Sequence, residues 1–174
     1  MNTLDIIILI IILIPALLGL KNGMLRSIFS LAGIIAGLFL ATRYNEKLTD
    51  IFGFIKIEPK LLSLISFIGI IVFVYFIAVY IARKISGLNA ATKTIDKILG
   101  VGLGIFKGLI LASIFLLITT NTLNLFNKED VSNSKFYSSI INVAPDVYNY
   151  IKQLFPNAKD FYDEFNHLSF TSLK

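Results

Sequence analysis

The chain has 174 residues, 56% of them hydrophobic and 16% charged, with a net charge of +5 and no cysteine; its mean hydropathy is +0.79. A soluble domain carries about 25% charged residues, so this composition excludes an ordinary soluble fold, and its apolar content excludes disorder. The missing thiols exclude a disulfide scaffold and thiolate metal sites, and the basic excess is too small and too dispersed for nucleic acid.

An all-α polytopic membrane protein remains, with the lipid bilayer as its first partner. Charge-free apolar runs cover residues 6–20, 27–42, 61–82 and 108–126. A bilayer core of about 30 Å needs about 20 helical residues, which the third and fourth runs supply directly. The first two are shorter and become spans once Lys21 and Arg26 snorkel from the helix ends. Four spans are therefore expected, near 3–20, 25–42, 61–82 and 100–122, forming one membrane domain over 1–126. The shallower alternative for the first pair is a re-entrant hairpin. In either case Lys21-Asn22-Gly23 marks the break between them. The start, Met1 to Asp5, has no basic region and no small-residue cleavage site follows, so the first run reads as uncleaved.

Residues 127–174 change character, with mixed charge, aromatics and Pro145 and Pro156 as dividers. Three short amphipathic helices are expected in this tail. In the first, Ser134 is a candidate cap and Phe136, Ile140 and Val143 share a face. Val147, Ile151 and Leu154 repeat in the second. Asn157 is a candidate cap for the third, with Phe161, Phe165 and Leu168 on one side. None can span, and each stripe needs cover: a neighbouring tail helix, the interface or another protein.

Orientation is nearly balanced. Lys21, Arg26, Arg83, Lys84, Lys93 and Lys97 flank one side; Arg43, Lys47, Lys56, Lys60, Lys128 and Lys135 flank the other. Basic density in the short 21–26 turn and the 83–97 loop places that side in the cytoplasm and both termini outside it.

Glycine spacing is the clearest internal pattern. Gly19 and Gly23, Gly33 and Gly37, and Gly100, Gly104 and Gly108 recur at i, i+4, which stacks each set on one helix face and lets backbones approach closely. Packing within the protein is the plain reading; a glycine-lined path or an oligomer seam is the functional one. Lys107 is the most informative single residue, because a lysine at the bilayer centre costs about 2.5–3.5 kcal/mol on insertion scales. It is expected to snorkel if the span begins near Gly104. Otherwise it needs a partner such as Asp5, Arg26 or a lipid phosphate. Asp96 lies three turns before it, about 16 Å away along the axis, and is too distant to pair with it.

Asp5 reads as an interfacial start residue, with Asn2 or Thr3 as helix cap. His167, beside Asp163 and Glu164, is a poor metal site on its own. No hydroxyl has a nearby base, and no phosphate loop or metalloprotease motif occurs. No enzyme activity, metal or cofactor is expected.

Taken in order, Leu4-Asp5, Gly19-x-x-x-Gly23-x-x-Arg26, Gly33-x-x-x-Gly37 with Ala41 and Tyr44, and Asp96-x-x-x-Gly100-x-x-x-Gly104-x-x-Lys107-Gly108 resemble the colicin V production protein family. The resemblance covers about residues 2–120 and fades in the tail, which keeps Ser134-x-Phe136 but lacks the tryptophans of many relatives. It implies a bacterial inner-membrane protein of about four spans that supports colicin V production or export, or envelope homeostasis, without an established molecular activity. Other membrane proteins or a second copy are the candidate partners. The alternative is an oligomeric channel or small transporter with glycine-lined helices.

Overall fold

The structure, a computed structural model, describes residues 2–54, 57–86, 94–123 and 125–154, all of whose regular elements are helical. Helix α1 runs Thr3–Ile51 and is broken at Gly23, whose φ of 73° and ψ of −179° lie outside any helix. Its limbs, 3–22 and 24–51, are each at least about 30 Å long at 1.5 Å per residue. Helix α2 covers Pro59–Ser86 and α3 covers Thr94–Leu116, followed by a π-helical turn at Leu117–Thr122. Three short helices complete the described chain: α4 Lys128–Ser132, α5 Tyr137–Ile140 and α6 Val143–Leu154.

The contacts make α1 a hairpin. Gly100, near the start of α3, abuts both Gly19 and Gly23 across the break. Further along α3, Ala112 and Leu116 pack with Leu4 and Ile8 of the first limb, while Ile110 and Ile114 pack with Ile34 and Leu38 of the second. Both limbs thus flank α3 in opposite directions, and α1, α2 and α3 together provide four long helical segments. Each of the three helices is long and apolar enough to cross a membrane. The outward faces agree: Leu13, Leu17, Phe73 and Phe76 are more than half exposed, an apolar surface of the kind that faces lipid.

Local chemistry explains the element ends. Pro59 opens α2 at the position where a missing N–H costs nothing. The second limb outruns the expected boundary at 42 because Arg43 to Asp50 continue as helix beyond the apolar run. At the end of α3, the Thr119 and Thr120 hydroxyls donate to the carbonyls of Phe115 (2.8 Å) and Leu116 (2.7 Å). Such back-bonding loosens the ladder, and Leu123 N reaches Ile118 O, five residues back, at 2.9 Å.

The tail packs against the bundle. Ala144 and Tyr148 of α6 are buried in the main core beside Phe67 and Ile71, and Tyr148 OH accepts from Thr42 Oγ1 at 3.0 Å. Ser113 Oγ accepts from Ala144 N (3.0 Å) and donates to Ile141 O (2.7 Å). Pro145 does not divide the tail as expected. It sits in the first turn of α6, where proline needs no hydrogen-bond partner, and Val143 begins that helix instead of ending the previous one. Ser134 Oγ accepts from Tyr137 N at 3.2 Å, as a cap would. The expected third tail helix, from Asn157 with Phe161, Phe165 and Leu168 on one side, lies outside the described residues, as does His167.

Candidate functional site

Small residues fix how closely the helices approach. A Cβ added to Gly104 would stand 2.8 Å from Ala16 Cα, and one on Gly108 would stand 2.7 Å from Ile12 Cα. Gly19 and Gly100 meet backbone to backbone at the same seam. Gly33 and Gly37 face α2 instead, where a Cβ would lie 2.5 Å from Ala78 Cβ and 3.0 Å from Ile71 Cα. Each glycine face is therefore occupied by another helix of the same chain.

At the Gly23 break, Asp96 reaches across from the start of α3. Its Oδ1 accepts from Met24 N at 2.9 Å, placing a carboxylate on the first free N–H of the second limb. There it also complements the positive end of that limb's dipole. Asp96 fills the space that a side chain on residue 23 would need, so both the left-handed backbone and the packing require glycine there. Ser27 Oγ donates to Gly100 O at 3.4 Å, adding a second tie at this level.

Lys107 departs from expectation. Its span begins at Thr94 rather than near Gly104, so it lies about 20 Å along the helix axis, too deep to snorkel to that end. It is 4% exposed. Its Nζ donates to Ser30 Oγ at 3.1 Å and stands 5.9 Å from the centre of the Tyr75 ring. Neither Asp5 nor Asp96 is its partner. The residues that meet it come from two other helices.

Lys107 forms the floor of a cavity of about 280 Å³ lined by Lys21, Asn22, Arg26, Ser30, Tyr75 and Arg83, with Leu18, Val79 and Ala82 as its apolar wall. Among the described lining residues four are cations and none is acidic. A second cleft of about 270 Å³ shares Leu18, Tyr75 and Lys107 with the first and continues between Ile14, Ile34, Ile71 and Leu111. Sequence reading singled out Arg26 and Lys107 but missed Ser30, Tyr75 and the role of Arg83. The available signal was the helical spacing of Tyr75, Val79 and Arg83 on one face of α2, and of Arg26 and Ser30 on one face of the second limb.

Asp5 occupies the opposite end of the bundle. It is fully buried and accepts from Ser134 Oγ at 2.6 Å, Lys135 N at 3.1 Å and Asn2 N at 3.3 Å. Asn2 is the N-cap of α1, in a capping box with Asp5, and its side-chain amide also donates to Asp130 O at 2.8 Å.

With this geometry described, comparison with known proteins shows that a family model described as Colicin V production protein aligns with residues 4–145. The chain belongs to that family. No curated protein and no solved structure matches it. The colicin V production match extends past the point near residue 120 where the sequence resemblance faded. It therefore takes in Asp5 together with its partners at 134 and 135, both walls of the cavity, and the glycine seam. Most of α6, including Tyr148, lies beyond it.

Proposed function

We propose that this protein is an integral inner-membrane accessory factor that supports peptide-toxin production or export, or envelope homeostasis, through protein partners. The observation that carries the reading is the family match over 4–145. The cavity chemistry suits binding more than catalysis, since its described polar lining consists of cations, hydroxyls and one amide. The alternative of a glycine-lined oligomeric channel draws little support, because the glycines face helices of their own chain.

The test is photo-crosslinking in native membranes from Tyr150, a 71%-exposed aromatic on the outer face of α6. A reproducible protein adduct is expected. Absence of any adduct there and at Tyr44, or ion or solute flux in liposomes that Lys107→Ala abolishes, overturns the accessory reading. The orientation that goes with it puts the Gly23 end in the cytoplasm. Cysteines introduced at 22 and 50 then label from opposite sides of intact cells, position 50 from outside.

A further inference from the structure

We infer that the cavity beneath the Gly23 break binds a phosphate group carried on an apolar chain, the headgroup of an anionic membrane lipid. Lys21, Arg26, Arg83 and Lys107 converge on one space with no acid among the described residues lining it. Like charges gathered at the edge of a low-dielectric bundle repel one another, and an anion relieves that repulsion. The donor set suits phosphate: Arg side chains offer forked N–H pairs, Lys a point charge, and Asn22 an amide. Lys107 spends one hydrogen bond on Ser30, and an ammonium has three donors.

The second cleft chooses the source of the phosphate. It opens from the cavity at Lys107, Tyr75 and Leu18 and is walled by Ile14, Ile34, Ile71 and Leu111. A free anion would fill the cationic space and leave this apolar one empty. A lipid fills both, with its headgroup on Lys107 and Arg83 and the upper part of an acyl chain between the first limb and α2. Each space is close to the lower bound of about 300 Å³ usual for ligand sites, so one headgroup and one chain segment saturate it.

The experiment uses the full chain in an uncharged detergent, with retained lipid counted by native mass spectrometry. The ligands are phosphatidylglycerol, phosphatidylcholine with the same chains, and inorganic phosphate alone. One phosphatidylglycerol is expected to be retained, with phosphate competing only at far higher concentration. Arg83→Gln, at the exposed mouth, should weaken phosphatidylglycerol by about tenfold, the value of one charge-assisted hydrogen bond. Lys107→Met should weaken it at least as much, and Arg83→Gln keeps the test decisive if the buried variant fails to fold. Lys47→Gln, at the other end of the bundle, should change nothing. Equal losses in Arg83→Gln and Lys47→Gln overturn the proposal by showing diffuse attraction. So does unchanged binding in Arg83→Gln, equal retention of phosphatidylcholine, or displacement of the lipid by phosphate at equal concentration.

Discussion

The bundle buries an ionisable group at one end and another near its middle, and treats them differently. At the end, Asp5 accepts three hydrogen bonds from residues 2, 134 and 135, so its charge is answered within the chain. Deeper in, Lys107 has a hydroxyl and a ring face, with three further cations sharing its cavity. A charge whose hydrogen-bonding capacity is filled by its own fold acts as a fastening. One left short of partners in a cavity is available to something else. Removing the first should damage the fold; removing the second should not.

The largest effect is expected at the seam that holds both groups in place. Gly104→Leu forces a side chain into the Pro15–Ala16 backbone and should prevent native packing, with no monodisperse folded fraction in detergent. Gly53→Leu, at an exposed turn, should leave the melting temperature within a few degrees of the parent. Equal behaviour of the two variants would remove the seam from the account. Next, Asp5→Ala should cost about 3 kcal/mol, because the Ser134 hydroxyl and Lys135 N–H lose their acceptor. Hydrogen exchange should then rise selectively across 131–141. If exchange rises uniformly instead, Asp5 is not a local fastening.

Ser113→Ala comes third, at about 1–2 kcal/mol, since it unties Ala144 N in a buried setting and should loosen α6 before the long helices. Protease cleavage after Lys152, monitored over time, checks it. The smallest change is expected for Lys107→Met in lipid-free detergent. Exchanging a buried, incompletely partnered cation for an apolar chain of similar length is neutral or stabilising. A fall in melting temperature as large as that of Asp5→Ala would erase the contrast between the two groups.

Much of this arrangement was legible because the bilayer simplifies the sequence. The apolar runs located the long helical segments, and Asn22-Gly23 located the break, since a left-handed residue between two long helices leaves few choices other than glycine. Glycine spacing indicated faces stripped of side chains, but not which helix lies on each: Gly33 and Gly37 meet α2, while Gly100, Gly104 and Gly108 meet the first limb. Lys107 was misjudged because its neighbours, Ser30 and Tyr75, are 77 and 32 positions away, and no local pattern ties a lysine to either. The partners of Asp5 are hidden for the same reason, with Ser134 lying 129 residues further along. Pro145 was read as a divider, whereas it lies in the first turn of α6, where the packing of Ala144 onto Ser113 anchors the helix start.

The tie between Asp5 and Ser134 also bears on how the protein is made. The hairpin is made before residues 134 and 135, so until they follow, the buried Asp5 carboxylate accepts only from the nearby Asn2 N–H. That end of the first limb stays unclasped until then, and the latch joins it to a segment made more than a hundred residues later.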